Sequence, residues 1–159
     1  MGDAVHQLSR AAGGGLNTDV TIYVPRVTRR GVASMAMSTD LRHRLGKHGE
    51  RLAAEHLTRL GFEIVERNYR TRWGELDIVA FDGTTLAFCE VKTRRLTAGR
   101  GPLEGLHAPQ RQRVRKMAGS WLIDRTDRPH AELIRFDAIG VTIDANGRLV
   151  SIEHLEGAF

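Results

Sequence analysis

The sequence GELDIVAFDGTTLAFCEVK, residues 74–92, decides the fold. Residues 75–81 and 86–92 are two runs rich in β-branched, aromatic and other apolar side chains, a composition that favours strands. Asp82-Gly83 lies between the two runs and suits the tight turn of a β-hairpin. This stretch therefore predicts two antiparallel strands joined by a short turn.

The predicted hairpin brings two carboxylates together. A turn centred between residues 83 and 84 pairs positions whose numbers sum to about 167, so Asp77 lies opposite Glu90, within about 5.5 Å at Cβ. Two such charges about 4 Å apart repel by about 4 kcal/mol at an effective dielectric constant of about 20. A shared proton or a divalent cation would relieve this repulsion. Lys92 follows Glu90 by two residues and therefore lies on the same face of the strand.

A helix upstream of the hairpin supplies a third carboxylate. Thr39 or Asp40 is a good N-cap for this helix, and Gly61 is a natural stop at its end. Glu50 shares a helix face with the apolar residues three, four and seven positions after it, so its side chain points inward. A charged group on an inward face is costly unless something pairs with it.

Three carboxylates favour a bound cation over a shared proton. Oxygen ligands without histidine or cysteine select Mg²⁺ or Mn²⁺ rather than zinc. Lys92 beside such a site can stabilise the charge that develops on a phosphate and help to position water. The same residues can instead form ion bridges on a solvated strand face, and their spacing alone leaves both explanations open.

The remaining pattern predicts one α/β domain over residues 38–159. A strand runs from Phe62 toward Tyr69, and a second amphipathic helix has apolar residues at positions 114, 117, 118, 121 and 122. Strands at 131–143 and 149–155 complete the order α-β-β-β-α-β-β. This order predicts a central mixed sheet flanked by helices.

The first 37 residues differ from the rest of the chain. They contain three consecutive glycines at 13–15 and one short β-like run, Val20 to Val24, with no partner strand in the sequence pattern. Residues 1–37 are therefore predicted to be a disordered or non-native arm.

Composition excludes several classes of protein. The chain has 159 residues, 41% of them hydrophobic and 27% charged, a balance typical of globular proteins. No apolar run is long enough to span a bilayer, and no signal peptide pattern is present at the N-terminus. A single cysteine, Cys89, rules out an internal disulfide framework and a cysteine-based zinc site. A cytoplasmic protein without membrane attachment is expected.

The charge distribution suggests a polyanionic partner. The formal net charge is +5, and residues 73–91, which are acidic and contain no lysine or arginine, separate the basic segments 42–72 and 92–116. A metal site bordered by cations that hold phosphates has this pattern, and so do two solvated basic faces that flank a strand pair. The candidate nucleic-acid-binding residues are Arg67, Arg70, Arg72, Arg94, Arg95, Arg100, Arg111 and Arg113.

Several sequence blocks occur together in a known order. They are Gly49-Glu50 followed by Ala53 and Leu57, Glu66-Arg67-Asn68-Tyr69-Arg70, Gly74-Glu75-Leu76-Asp77-Ile78-Val79-Ala80, Glu90-Val91-Lys92-Thr93-Arg94 and Arg135-Phe136-Asp137. Over about residues 42–155 the chain resembles the YraN-like family of uncharacterised bacterial proteins, UPF0102. That family is similar to the restriction-endonuclease-like superfamily of PD-(D/E)xK nucleases, and its layout is similar to that of archaeal Holliday-junction resolvases.

The resemblance implies a role for each residue of the predicted site. Glu50 corresponds to the helix carboxylate, Asp77 to the central metal ligand, Glu90 to the second ligand and Lys92 to the catalytic lysine. The backbone carbonyl of Val91 would complete the protein ligands of the metal. One departure is that a leucine at position 76 replaces the proline for which the motif is named.

Two classes of function follow from these expectations, with a third less favoured. The first is a metal-dependent endonuclease that cuts structured DNA, such as a junction, a flap or a damaged duplex, in repair or recombination. The second is a nucleic-acid-binding module whose site does not catalyse. The third is a protein-interaction scaffold in which the carboxylates are structural. A homodimer would suit an enzyme that cuts both strands of a junction symmetrically.

Overall fold

The computed structural model describes residues 5–7, 20–23, 39–96, 101–104 and 108–159. Two helices and seven strands occur in these residues. The elements are β1 (Val5–Gln7), β2 (Val20–Tyr23), α1 (Thr39–Arg59), β3 (Glu63–Thr71), β4 (Gly74–Phe81), β5 (Thr85–Arg95), α2 (Ala108–Asp124), β6 (Leu133–Ile143) and β7 (Leu149–Leu155). From α1 onward the order is α-β-β-β-α-β-β, which confirms the predicted order of elements.

The strands form one mixed sheet in the order β1-β2-β7-β6-β5-β4-β3. β5 and β6 are parallel and are connected through α2, whereas the other neighbouring strands are antiparallel. A parallel pair needs a crossover connection, and the segment containing α2 provides it. The α/β class with a mixed sheet is therefore confirmed.

The β4–β5 hairpin has the predicted register. Ile78 pairs with Cys89 and Phe81 pairs with Leu86, with the two intervening pairs in step. The turn is closed by Asp82, whose Oδ1 accepts hydrogen bonds from the backbone N–H groups of Thr84 and Thr85 at 2.9 and 2.7 Å. This Asx-type turn stabilises the β4–β5 register, whose last pair, Ile78–Cys89, is adjacent to Asp77 and Glu90.

A separate apolar core lies on each face of the sheet. On one face α1 buries Ala53 and Leu57 against Ile78, Cys89 and Ile139. Cys89 is fully buried on this face. On the other face α2 buries a second set, which consists of Val114, Met117 and Trp121 against Leu76, Val79 and Phe88. The sheet thus separates the two helices, which pack on its opposite faces.

Strand alternation breaks at Asp77. Ile78 and Val79 lie in opposite cores, as alternation requires, but Leu76 lies in the same core as Val79. The β3–β4 register passes from Arg67–Ile78 to Tyr69–Leu76 without a pair at the positions between them. The β4–β5 register also ends at Ile78. Asp77 therefore lies at a single-pair gap in the β3–β4 ladder and one position beyond the last β4–β5 pair, so it has no paired residue on either neighbouring strand.

One expectation about the N-terminal segment is corrected. The run from Val20 does have a partner strand, because β2 pairs with β7 from Val20–Leu155 to Tyr23–Ile152, and β1 pairs with β2 in turn. The sequence pattern could not show this pairing because the partner lies more than a hundred residues away. The domain boundary between residues 37 and 38 stays a prediction.

Neither described helix is long and apolar enough to cross a membrane.

Candidate active site at the C-terminal end of β5

Within the described part of the chain, the Asp77 carboxylate has no cationic partner in direct contact. Its Oδ2 accepts a hydrogen bond from the backbone N–H of Val91 at 2.7 Å, across the gap between β4 and β5. Burial, followed by the charge of Glu90 and then that of Glu50, raises the pKa of Asp77 to about 7, against the opposing effects of the Val91 hydrogen bond and Lys92. The negative charge at this position is therefore poorly compensated near neutral pH.

Glu90 is held by two side chains on the α2 side of the sheet. Its Oε1 accepts hydrogen bonds from Lys92 Nζ at 2.6 Å and from Gln110 Nε2 at 2.9 Å. The Glu90 side chain is only 5% exposed, whereas Lys92 is 38% exposed. Lys92 thus contacts a buried carboxylate and is itself partly exposed to solvent. A substrate would approach from this exposed side.

Glu50 approaches the same region from α1. Its Oε2 accepts a hydrogen bond from Asn68 Nδ2 at 2.7 Å and lies 3.2 Å from Lys47 Nζ. The side chain is 13% exposed, so the predicted inward orientation is confirmed. Lys47 also lies 3.4 Å from Glu75 Oε1. Glu50 is therefore fixed by one neighbour on its own helix and one on β3.

Two backbone features occur beside Glu50, one on α1 and one on β3. Gly49 packs so closely on β5 that a Cβ atom there would lie 1.8 Å from Thr93 Oγ1. Asn68 has a φ of 56°, in the left-handed region that asparagine tolerates better than most residues. The close approach brings Glu50 to the end of β5, and the backbone conformation of Asn68 accompanies the break in β3–β4 pairing beside Asp77.

The donor set matches a hard divalent cation in chemistry and charge. Every candidate side-chain ligand is an oxygen, and the poorly compensated charge of Asp77 is what a cation would neutralise. Within residues 39–96, 101–104 and 108–159, however, no three Asp, Glu, His or Cys side chains are close enough together to hold a metal ion. Glu90 and Glu50 instead keep the partners described above, with Asp77 electrostatically coupled to both.

The described arginines that the sequence nominated are distributed unevenly around the site. Arg70 and Arg72 flank the β3–β4 turn, where Arg72 stacks on Trp73 at 4.2 Å and Arg70 Nε lies 3.3 Å from Glu75 Oε2. Arg113 reaches the same turn, since its Nε would lie 3.8 Å from a Cβ at Gly74.

Other candidates lie elsewhere along these elements. Arg94 and Arg95 lie at the end of β5, where Arg95 Nε is buried without a hydrogen-bond partner, and Arg111 is exposed near the start of α2. Arg67 lies in the middle of β3, one residue before Asn68. Arg100 lies outside the described residues.

The structure adds site residues that the sequence reasoning did not nominate. Lys47, Asn68 and Gln110 each contact one of the predicted carboxylates. Lys47 could have been found, because it lies three residues before Glu50 and shares its helix face. Asn68 and Gln110 carry no such signal, since their contacts join elements that are distant along the chain.

The fold and the site define a class: an α/β protein with a mixed sheet, two flanking helices and a carboxylate-lysine cluster at the end of a central strand. The sequence profile of the uncharacterised protein family UPF0102 matches residues 49–141, a range that contains every member of this cluster except Lys47.

Curated relatives extend over most of the chain. A UPF0102 protein of Frankia casuarinae is 45% identical over 116 residues, which are 72% of this chain and 95% of the relative. One from Rhodococcus jostii is 44% identical over 115 residues, 72% and 95% of the two chains. One from Acidothermus cellulolyticus is 42% identical over 133 residues, 79% of this chain and all of the relative. The chain belongs to the UPF0102 family.

Proposed function

We propose that this protein is a metal-dependent endonuclease that hydrolyses phosphodiester bonds in structured DNA during repair or recombination. The observation that carries the proposal is the poorly compensated Asp77 carboxylate, which is electrostatically coupled to Glu90 and Glu50 and lies beside a partly exposed lysine. A structural ion bridge would pair each carboxylate with a cation, and Asp77 has no ion pair in the described part of the chain.

Asp77 and Glu90, with the backbone carbonyl of Val91, would hold Mg²⁺ or Mn²⁺, and Glu50 would complete the acidic surroundings. The metal, when bound, would polarise a phosphate oxygen and lower the pKa of a water molecule. No histidine or cysteine contributes to this set, in keeping with a hard cation.

Lys92 would act on the charge that develops at the scissile phosphate. Its side chain is 38% exposed while its Glu90 partner is buried, so the lysine is oriented by the protein and partly accessible to solvent. Such a preoriented charge stabilises a transition state without needing to reorganise during the reaction. Gln110 shares the same Glu90 oxygen and would keep that carboxylate in place while the lysine engages a phosphate.

Basic residues around the site support DNA as the substrate. Arg70, Arg72 and Arg113 surround the β3–β4 turn, and Arg94 and Arg95 extend beyond Lys92 on β5. Arginines at these positions would neutralise phosphates on both sides of the cleaved bond.

The experiment is a cleavage panel with single-stranded DNA, duplex, flap, four-way junction and RNA in Mn²⁺ and Mg²⁺. Wild-type protein should cut at least one structured DNA in these ions, and should bind it without cutting in Ca²⁺ or EDTA. Lys92→Ala should lower the single-turnover rate at least about 10²-fold, about 2.7 kcal/mol, with little change in affinity. Lys116→Ala, which removes an exposed lysine from α2, is the matched control and should cut at the wild-type rate.

A nucleic-acid-binding module without catalysis is the second candidate. It is favoured by the absence of a three-ligand cluster in the described residues and by the contact of Lys92 with Glu90. Binding of DNA without metal-dependent cleavage of any substrate in the panel, together with a Lys92→Ala variant that changes only affinity, would select this candidate and eliminate the nuclease.

A further inference from the structure

A cationic groove lies beside the site, between the outer face of α1 and β3. It has a volume of about 500 Å³ and is lined by Arg51, Ala54, Glu55, Thr58, Arg59 and Arg67. Five of these residues follow the spacing of one helix face, and Arg67 closes the groove from β3.

Charge in the groove is predominantly positive. Three of its six residues are arginines, and the single carboxylate, Glu55, is already paired with Arg51. Arg59 stacks over the ring of Tyr23 at 5.2 Å, and no ion pair of Arg59 occurs within the residues that the structure describes. Arg67 is exposed and makes no described hydrogen bond or ion pair. The groove can therefore accept anionic groups without first breaking an ion pair at Arg59 or Arg67.

Two residues that line the groove are direct chain neighbours of residues at the candidate active site. Arg51 follows Glu50 on α1 and Arg67 precedes Asn68 on β3, and the side chains of Glu50 and Asn68 are joined by a hydrogen bond of 2.7 Å. Arg51 and Arg59 are separated by about 12 Å along α1, at about 1.5 Å per residue. A single small anion would fill only part of this length, whereas a chain of linked phosphates could contact several of the arginines in turn.

We infer that this groove binds the sugar-phosphate backbone of a nucleic-acid strand that continues outward from the cleavage site. The inference rests on the proposed function for the identity of the polymer, and it adds Arg51 and Arg59 to the contact residues. The lining offers only one apolar side chain, Ala54, so an apolar ligand would gain little there. The contacts would be independent of base sequence, because guanidinium groups that meet phosphates do not read base edges.

The test is equilibrium binding of a labelled duplex and a labelled single strand in EDTA, where cleavage does not occur. Arg67→Ala removes one groove arginine, and Arg59→Ala with Arg67→Ala removes two. The double variant should bind on the order of 10-fold more weakly at about 0.1 M salt, and its plot of log affinity against log salt should be shallower by nearly two phosphate contacts.

Arg128→Ala is the matched control for Arg67→Ala. Arg128 is also an exposed arginine, but it lies beyond the C-terminal end of α2 and donates to the carbonyls of Leu122 and Arg125. Its loss should leave DNA affinity and salt dependence unchanged. Unfolding curves of all variants check that each one is folded at the temperature of the assay.

Different outcomes would contradict DNA binding by the groove and the proposed nuclease function. If the wild-type protein cleaves DNA and the groove variants bind DNA as tightly as Arg128→Ala does, the groove does not bind the strand. The proposed nuclease function would still stand. DNA binding that weakens in the groove variants supports the groove even when no substrate is cut. A wild-type protein that binds labelled polyglutamate through these arginines and binds no nucleic acid would overturn the inference in favour of an acidic peptide.

Discussion

At the scale of single residues, the charge state of Asp77 separates a metal site from an ion-bridge network. Glu90 and Glu50 each have a lysine and an amide as partners, whereas Asp77 has one backbone N–H. Glu90 and Glu50 are therefore each balanced by a lysine. The negative charge of Asp77 is not balanced in this way. A cation is the group that this local imbalance would select.

Mn²⁺ should therefore stabilise the wild-type protein through Asp77. A ligand that binds only the folded state at 100 times its Kd raises the free energy of unfolding by about 2.7 kcal/mol. The melting temperature of wild-type protein should rise in millimolar Mn²⁺, and that of Asp77→Asn should rise much less. Asp127→Asn, which removes an exposed carboxylate near the end of α2, should behave like wild type. Equal increases in melting temperature in all three proteins would contradict a metal site at Asp77.

A second residue-scale prediction concerns acid stability. His56 on α1 is 3% exposed, and its Nε2 has no hydrogen-bond partner. Burial, followed by the charges of His154 on β7 and Arg59 on α1, lowers the pKa of His56 from 6.5 to about 4. His154 in turn contacts Asp137 on β6 at 2.9 Å through its Nε2. The unfolded state therefore binds a proton more readily than the folded state between these two pKa values.

The contribution of His56 is fully present above pH 6.5 and is lost as the pH falls from 6.5 toward 4. The free energy of unfolding should fall over this range by up to about 3 kcal/mol from this residue. His56→Gln, which cannot take up the proton, should lose less stability between pH 7 and pH 4.5 in urea titrations. A wild-type and a variant curve with the same pH dependence would show that His56 does not titrate differently on folding.

At the scale of elements, the contact between α1 and β5 determines where Glu50 lies. Gly49 permits the approach, and Thr93 is the side chain that fills the space at β5. Helix α1 also contains Gly46, three residues earlier, where an added Cβ would meet nothing within 4 Å. The same glycine-to-alanine change should therefore affect the free energy of unfolding in opposite directions at positions 46 and 49.

Gly49→Ala should destabilise the protein by about 1–3 kcal/mol, because the new methyl group overlaps a β-branched side chain on a buried strand. Gly46→Ala should be neutral or stabilising by up to about 1 kcal/mol, since alanine favours a helix interior. Urea unfolding measures both. Combining Gly49→Ala with Thr93→Ala should recover part of the loss, and a double variant no more stable than Gly49→Ala would show that the steric account is wrong.

At the scale of the whole molecule, both cores are built from residues after 38. Of the N-terminal strands, β2 contributes Tyr23 to the margin of the α1-side core and pairs with the edge of β7. Among the residues that the structure describes, the two cores therefore retain nearly all their buried side chains when the N-terminal segment is removed.

Deletion of residues 1–37 should give a folded protein. The free energy of unfolding should fall by about 1–2 kcal/mol, the order expected for partial burial of one large side chain. Circular dichroism and urea unfolding of the 38–159 chain test this prediction. Failure of that chain to fold would place the domain boundary before β2.

The sequence by itself determined the element order, the hairpin register and the inward face of Glu50. These features depend on local periodicity and turn chemistry, for which neighbouring residues carry the information. The position of the turn between residues 83 and 84 was sufficient to predict the register of the β4–β5 hairpin. It was not sufficient to predict that β4 leaves the ladder at Asp77.

Only the tertiary structure decided which partner each carboxylate has. Gln110 meets Glu90, and Asn68 meets Glu50, across separations of 20 and 18 residues. The pairing of β2 with β7 and the groove between α1 and β3 also join distant segments. Such contacts depend on how the helices and strands pack in three dimensions, and this packing leaves no periodic signal in the sequence of any one element.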